Sequence, residues 1–371
     1  MSCDFLQLAR APVQQLSPYV PGKPVEELAR ELDLNPADII KLASNENPLG
    51  PSPKVLEAIE KALPELTRYP DGNGFLLKQA LAGHYGLDTA QITLGNGSND
   101  VLELVAKAWL EPGRNAVFSQ HAFAVYPIAT MAAGAECREV PAKDYGHDLD
   151  AMLAAIDANT SVVFIANPNN PTGTWFDISA LEAFLEKVPE QVLVVLDEAY
   201  IEYASGSELP DGVKYLSRYP NLIVSRTFSK AYGLAALRVG YALSSPQVAE
   251  VLNRVREPFN VNSLALAAAC AALEDEDYLF RSRLANDQGM EQLEAGLEAL
   301  GLEWIPSKGN FIAVRFATDA AAINQALLEK GVIVRPVAGY GMPEFLRVSI
   351  GTHEENARFL GVLKQVLANG A

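Results

Sequence analysis

The chain of 371 residues contains few of the residues that build disulfide frameworks and metal sites. Its three cysteines (Cys3, Cys137 and Cys270) are odd in number and widely spaced, which argues against a disulfide framework and fits a reducing cytoplasm. The four histidines are scattered and show no spacing typical of zinc ligands. We therefore expect a cytoplasmic protein without a bound metal.

Long apolar runs and an excess of basic residues are also missing. No apolar run reaches the roughly 20 residues that a membrane span needs, so no membrane association is expected. Lysine and arginine total 29 against 46 aspartates and glutamates, which gives a formal net charge of −17. Because nucleic-acid binding needs a basic face, this balance argues against nucleic acid as a partner. It is compatible with a small anionic ligand, since a few arginines in a cleft create a local positive potential.

The pattern of apolar segments predicts an α/β protein with a mainly parallel sheet. Short runs rich in branched residues lack the alternation of a half-exposed strand, so we interpret them as strands buried on both faces. Helical stretches such as residues 178–188 lie between these runs, and such alternation is typical of a parallel sheet flanked by helices. The predicted strands cover residues 116–119, 161–166, 192–196 and 222–225.

The length of the chain suggests two domains. We predict that residues 1–45 form a proline-rich arm and part of the small domain, and that residues 46–262 form the large domain. Residues 263–371 are expected to form a small α+β domain whose last helix begins at Thr352. Glu355 stands three residues after Thr352, which predicts a capping box at the start of that helix.

The strand at residues 222–225 is followed by hydroxyl groups, a lysine and an arginine. Lys230 at such a strand end can hold an aldehyde cofactor as a Schiff base, while Thr227, Ser229 and Arg238 hold a phosphate. The alternative is a strand followed by a surface turn with an ordinary lysine. Because ligands bind beyond the carboxyl ends of parallel strands, the residues that follow the other strands decide between these two interpretations of Lys230.

Polar residues follow two further predicted strands. Asn170 lies in the turn after residues 161–166 and is placed to donate a hydrogen bond into a cleft, although a proline-rich turn alone explains this composition. Asp197 directly follows residues 192–196, and a carboxylate behind buried apolar residues needs a partner. A protonated pyridine nitrogen fits that need, and Tyr200 is close enough in sequence to reach the neighbouring ring oxygen.

A third motif, Gly97-Ser98-Asn99, precedes an amphipathic helix. Glycine, a capping side chain and a helix N-terminus make an anion site from backbone N–H groups, and a helix cap without a ligand is the alternative. The third glycine of a dinucleotide motif is absent because Asp100 stands in its place. The motif therefore favours a single phosphate and argues against hydride-transfer enzymes.

In this order, the motifs resemble the pyridoxal-phosphate aminotransferases of fold type I along the whole chain. The resemblance narrows to the histidinol-phosphate aminotransferase group through residues 42–48 (LASNENP), 68–71 (RYPD) and 345–351 (FLRVSIG). It implies a large domain with a mainly parallel sheet, a smaller α+β domain and pyridoxal 5′-phosphate as cofactor. It also implies a homodimer with shared active sites, in which Tyr69 reaches the phosphate of the neighbouring subunit's cofactor.

The resemblance also implies a role for each site residue. Lys230 would hold the cofactor and move the proton, and Asp197 would keep the ring nitrogen protonated. Asn170 and Tyr200 would bind the ring oxygen, and Phe123 would stack on the ring. The phosphate would be bound by Gly97, Ser98, Asn99, Thr227, Ser229 and Arg238.

The reaction implied is transfer of the amino group of L-histidinol phosphate to 2-oxoglutarate, a step of histidine biosynthesis. Arg347 would bind the carboxylate of the amino donor when that donor is glutamate, and Arg335, Tyr19 and Asn45 would complete the substrate site. Arg335 as a surface residue and Tyr19 as arm packing are the alternatives for those two. Phe259 stands where some members of the group have a tyrosine, which leaves phenylalanine aminotransferase open. Decarboxylation of a phosphorylated amino acid is a further alternative, and a transcription regulator would need a DNA-binding segment that the chain lacks.

Overall fold

The computed structural model describes residues 3–204 and 209–369. Across these two ranges, no helix combines the length and the apolar character that crossing a membrane requires. The strands are β1 (Ile40–Lys41), β2 (Ile92–Gly95), β3 (Asn115–Ser119), β4 (Glu136–Val140), β5 (Thr160–Ala166), β6 (Leu193–Asp197), β7 (Leu222–Thr227), β8 (Gly240–Leu243), β9 (Glu303–Ile305), β10 (Phe311–Arg315), β11 (Val332–Ile333), β12 (Arg335–Pro336) and β13 (Phe345–Ser349).

Helices occupy most of the sequence between the strands. In chain order they are α1 (Phe5–Leu8), α2 (Ala11–Gln14), α3 (Val25–Leu32), α4 (Pro53–Ala62), α5 (Phe75–Tyr85), α6 (Ser98–Trp109), α7 (Val125–Ala133), α8 (Leu149–Ala154), α9 (Ile178–Leu185), α10 (Pro246–Val255), α11 (Ser263–Leu273), α12 (Glu276–Ala299), α13 (Ala321–Glu329) and α14 (His353–Ala368). The capping box predicted at Thr352 is present, because its side chain accepts from the Glu355 N–H and Glu355 accepts from the Thr352 N–H.

A seven-stranded sheet in the order β2-β8-β7-β6-β5-β3-β4 forms the centre of the molecule. Strand β8 runs antiparallel to β2 and to β7, and the other neighbours are parallel. The four strands predicted from sequence, β3, β5, β6 and β7, are adjacent in this sheet. The α/β fold with a mainly parallel sheet is thus confirmed.

Both faces of this sheet are buried, which explains the absence of alternation in its strands. Val163 and Ile165 of β5 belong to one apolar cluster, whereas Val162 and Phe164 belong to the cluster on the other face. Successive side chains of a strand point to opposite faces, so the apolar residues of β5 enter the two cores alternately. Full burial of such a side chain stabilises the fold by about 1.5–3 kcal/mol.

A second, antiparallel sheet in the order β12-β13-β10-β9 lies in the C-terminal part, and β1 pairs with β11 beside it. Through β1, the N-terminal segment joins the C-terminal part of the chain. Helix α11 packs on α4 and α5, and its alanines belong to the core of the large sheet. The division at residue 262 stays a prediction, and this packing favours a boundary after Leu273.

Candidate active site

A cavity of about 220 Å³ lies at the carboxyl ends of β5, β6 and β7. It collects most of the residues that the sequence singled out, although they are far apart along the chain. Gly97, Tyr69 and Arg335 are not among the residues that line it. The predicted site residues that do line it are Tyr19, Asn45, Ser98, Asn99, Phe123, Asn170, Asp197, Tyr200, Thr227, Ser229, Lys230, Arg238 and Arg347.

Lys230 lies three residues beyond the end of β7 and reaches into the cavity. Its Nζ donates a hydrogen bond to the Ser44 carbonyl oxygen at 3.0 Å and lies 5.8 Å from the centre of the Tyr200 ring. Burial and the nearby Arg347 guanidinium lower the pKa of Lys230 to about 7 from its ordinary 10.5. A substantial fraction of this amine is therefore neutral near pH 7 and is able to act as a nucleophile or a base.

Asp197 is the last residue of β6 and is buried on the floor of the cavity. Its Oδ2 accepts a hydrogen bond from the Tyr126 hydroxyl at 2.9 Å, whereas its Oδ1 is buried without a partner among the described residues. Burial raises the pKa of Asp197 to about 6, and the Tyr126 hydrogen bond opposes this rise. A buried carboxylate oxygen without a partner calls for a cation or a hydrogen-bond donor inside the cavity.

Asn170, Tyr200 and Asn45 form the polar wall between Asp197 and Arg347. The Asn45 Nδ2 donates to the Tyr200 hydroxyl at 2.9 Å, and Asn170 accepts from the Arg347 Nη1. Burial raises the pKa of Tyr200 to about 12, so its hydroxyl keeps its proton. Because that hydroxyl accepts from Asn45, its own proton is free to be donated into the cavity.

The guanidinium of Arg238 packs directly against the N-terminus of α6 at Gly97. Gly97 is the N-cap of α6 with φ +84°, and no side chain caps the helix, so its first N–H groups stay open for an anion. Arg238 donates to Ser229 Oγ at 3.2 Å and to the Ala235 carbonyl at 2.9 Å. A Cβ on Gly97 would collide with the Arg238 guanidinium, so glycine is required for this approach.

Arg347 is buried in the middle of β13. Its Nη2 donates to the Ala43 carbonyl at 2.7 Å, and its Nε is buried without a partner in the part of the chain that the structure describes. No carboxylate of the described residues pairs with it. A buried guanidinium without a counter-ion is a strong site for a bound carboxylate or phosphate.

Three predicted residues lie at or beyond the edge of the site. Tyr19 lines the cavity, and the Arg335 guanidinium packs over the Tyr19 ring at 5.3 Å, so Arg335 adjoins the site through Tyr19. Tyr69 does not line the cavity: it is 84% exposed and stacks on Phe259 with ring centres 4.8 Å apart. An exposed stacked aromatic pair on the outside of the molecule is compatible with a contribution to another subunit.

Tyr126, Glu46 and Ser349 were missed by the sequence reasoning. Tyr126 and Glu46 line the cavity, and Ser349 accepts from the Asn45 backbone N–H at 2.8 Å. Tyr126 lies on α7 and does not follow a strand. Its position three residues after Phe123 was the only sequence signal that indicated a place in the site. Glu46 lies inside the LASNENP motif, in which only Asn45 was predicted to bind the substrate.

The fold and the cavity together define the class of enzyme. A mainly parallel seven-stranded sheet, with a buried lysine of lowered pKa and a buried carboxylate at neighbouring strand ends, is the arrangement of the fold type I pyridoxal-phosphate enzymes.

Comparison with known proteins places the chain within that class. Residues 37–363 match the family described as aminotransferase class I and II. Histidinol-phosphate aminotransferase 2 of Pseudomonas aeruginosa is 74% identical over 366 residues, which are 99% of each chain. Histidinol-phosphate aminotransferase of Stutzerimonas stutzeri is 63% identical over 99% of this chain and 100% of its own length. The chain belongs to the aminotransferase class I and II family.

A solved structure shows the same likeness in three dimensions. The crystal structure of histidinol-phosphate aminotransferase from Sinorhizobium meliloti in complex with pyridoxal-5′-phosphate superimposes with a TM-score of 0.90 at 34% sequence identity. The match covers 97% of this chain and 98% of that one.

Proposed function

We propose that this chain is a pyridoxal-phosphate-dependent histidinol-phosphate aminotransferase. It transfers the amino group of L-histidinol phosphate to 2-oxoglutarate and yields imidazole-acetol phosphate and L-glutamate, a step of histidine biosynthesis. Full-length relatives with this printed name support the substrate, and the Sinorhizobium meliloti relative with bound pyridoxal-5′-phosphate supports the cofactor. The observation that carries the proposal is the pairing, in one cavity, of a lysine with a pKa of about 7 and a buried carboxylate with one unpartnered oxygen.

The cavity fits the cofactor at each of its polar groups. We assign the phosphate to the N-terminus of α6 together with Thr227, Ser229 and Arg238. The ring nitrogen is assigned to the unpartnered oxygen of Asp197, and the ring oxygen to Asn170 and Tyr200. Phe123, which lines the same cavity, would cover one face of the ring.

Bound pyridoxal phosphate supplies an aldehyde and an electron-withdrawing ring. Lys230 supplies the amine that holds the aldehyde, and it is then within reach to move the proton at the α-carbon of the substrate. Asp197 must be ionised to hold a protonated ring nitrogen, and a cation beside it lowers its pKa from about 6. The Tyr126 hydroxyl orients this carboxylate.

The two anionic ends of the substrates meet the two arginines. Arg347 offers a fork without a counter-ion to the glutamate α-carboxylate, and Arg335 with Tyr19 is assigned to the second anion, the donor's phosphate or the distal carboxylate. Charge recognition of this kind lets one site accept both amino donors in turn. Small molecules are the only partners that this reaction needs besides a second copy of the chain.

Tyr69 is the basis for proposing a homodimer with shared active sites. It is exposed in the single chain, where it stacks on Phe259 and does not line the cavity. An equal mixture of the Lys230→Ala and Tyr69→Ala variants tests this, because a mixed dimer contains one intact site. Recovery of activity that neither variant has alone is expected, and its absence under conditions of subunit exchange would contradict the shared site.

The enzyme is proposed to work in the cytoplasm. Its three cysteines are free thiols, which fits a reducing compartment. Fractionation of cells that express the natural protein, followed by activity assays on the soluble and membrane fractions, tests this assignment.

Donor competition tests the reaction itself. Purified protein with pyridoxal phosphate is given histidinol phosphate, phenylalanine or aspartate against 2-oxoglutarate, and glutamate is measured. Histidinol phosphate is expected to have the highest kcat/KM. A clear preference for phenylalanine would overturn the substrate and leave the transamination chemistry intact, and release of CO2 without glutamate would indicate a decarboxylase.

A further inference from the structure

The cavity has a second carboxylate besides Asp197. Glu46 lies at the entrance with a side chain that is 47% exposed, whereas Asp197 is buried on the floor. Asp197 is assigned to the ring nitrogen and is held there by Tyr126. Glu46 therefore has no part yet in the proposed chemistry, although it faces the same space.

Three other acceptors in the cavity wall already have donors. The Asn45 Oδ1 accepts from the Ser349 hydroxyl at 3.1 Å, and the Asn170 Oδ1 accepts from Arg347. The Ser44 carbonyl accepts from Lys230 at 3.0 Å. Among the described residues, the carboxylate of Glu46 is paired with the cation of Lys41 at 3.0 Å, and a carboxylate has lone pairs for about four donors.

The backbone before Glu46 is held by hydrogen bonds, and the Glu46 carboxylate itself is paired with Lys41. Asn45 has a φ of +54°, its N–H donates to Ser349 Oγ at 2.8 Å, and its carbonyl accepts from Asn310 Nδ2 at 3.0 Å. Lys41, which holds the carboxylate, lies in β1 and pairs in register with Ile333 of β11. Such fixation is what a recognition group needs, because little entropy is then lost on binding.

We propose that Glu46 determines donor specificity by accepting the hydrogen bond of the imidazole N–H of the donor. The inference rests on the proposed function. Histidinol phosphate carries two arms on the carbon that bears its amine: the phosphate arm is assigned to Arg335 with Tyr19, and the imidazole arm needs an acceptor. Glutamate has no such donor group, so Glu46 contributes to one substrate of the pair and not to the other.

The test compares half-reactions of the holoenzyme and its Glu46→Gln variant. The amino donors are histidinol phosphate, glutamate and alaninol phosphate, which has the amine and the phosphate ester but no imidazole. A hydrogen bond to a charged group contributes enough that its loss lowers kcat/KM for histidinol phosphate roughly ten- to hundredfold. For glutamate and alaninol phosphate the expected change is less than about threefold.

Two further variants separate recognition from a general disturbance. Glu303→Gln also removes the carboxylate of an exposed ion pair, with Arg315 at 3.2 Å, but far from the cavity, and is expected to leave every donor unchanged. Glu46→Asp keeps the carboxylate on a shorter stem and is expected to recover part of the lost histidinol-phosphate activity.

The outcomes distinguish this inference from the function on which it rests. An equal loss for all three donors in Glu46→Gln, or no loss for any, would overturn the role of Glu46 while the wild-type enzyme still uses histidinol phosphate. Failure of the wild-type enzyme to use histidinol phosphate at all would overturn the proposed function and this inference with it.

Discussion

Replacement of Arg226 by methionine should destabilise the protein strongly, because it leaves a buried carboxylate unpaired. Arg226 donates to Glu198 Oε2 from Nε at 2.9 Å and from Nη2 at 2.6 Å, and Glu198 is fully buried. Removal of one partner of a buried pair typically costs about 3–5 kcal/mol of the free energy of unfolding. We expect a loss in this range, measured by urea unfolding of the cofactor-free protein and followed by circular dichroism.

The double variant Glu198→Gln, Arg226→Met isolates the charge as the cause. It removes both charges of the buried pair, and Asp211, which Arg226 also binds at 2.6 Å, is partly exposed to water, so the double variant should recover much of the stability that the single variant loses. Burial already raises the pKa of Glu198, and loss of Arg226 raises it further. The carboxylate is then protonated in the folded state at a higher pH than in the unfolded chain, so the deficit of Arg226→Met should shrink as the pH falls towards that pKa.

Arg218→Met is the matched control, because it breaks an exposed ion pair with Glu186 at 2.8 Å. An exposed pair contributes little, so this variant should unfold almost as the wild-type protein does. The reasoning would be refuted if Arg226→Met were no less stable than Arg218→Met. A double variant as unstable as Arg226→Met would point to lost packing instead of unpaired charge.

Further predictions concern the cavity itself. Lys230→Ala should abolish transamination and leave the circular dichroism spectrum unchanged; near wild-type turnover would contradict the proposed mechanism. In cofactor-free protein, Lys230→Met should raise the free energy of unfolding, and by more at about pH 6 than at about pH 9. Below its pKa of about 7 the buried amine of the wild-type protein carries an unfavourable charge, which methionine lacks. An equal gain at both pH values would contradict this. Gly97→Ala should weaken cofactor binding, measured by titration of absorbance, because the methyl group displaces Arg238, whereas Gly113→Ala, also at positive φ but in open space, should bind normally. Arg347→Lys should raise KM for glutamate, since an ammonium cannot form the bidentate fork; an unchanged KM would place the carboxylate elsewhere.

The centre of the sheet was predictable from the sequence because each of its four strands contains a mostly apolar run. Strands β3, β5, β6 and β7 are buried on both faces, and such runs differ plainly from the helices between them. The observed β7 continues two residues beyond the prediction, to Thr227, because Arg226 and Thr227, although polar, are buried and still pair with β8. A prediction from hydropathy ends a strand where its side chains become polar, even when the backbone pairing of the strand continues.

The cavity was predictable wherever a functional side chain lies at the carboxyl end of a strand or within a few residues of it. Asp197 is the last residue of β6, Asn170 and Lys230 lie four and three residues beyond the ends of β5 and β7, and the parallel arrangement brings these strand ends together. Tyr126 and Glu46 could not be found in this way, because their positions depend on how α7 and the segment after β1 fold over the sheet. Such placements depend on tertiary packing, which no local pattern of residues encodes.

At the ends of β6 and β7, residues that are adjacent in sequence lie on opposite sides of the sheet. Thr227 lines the catalytic cavity, whereas Arg226 lines a separate cavity on the other side with Tyr85 and Glu202. Glu198, which follows Asp197, binds Arg226 and so ties the end of β6 to β7 from behind. Since Asp197 and Thr227 are at those same strand ends, the ion pair holds two groups of the site in place without touching a ligand. The stability lost in Arg226→Met should therefore be accompanied by weaker cofactor binding, which an exposed variant such as Arg218→Met should not show.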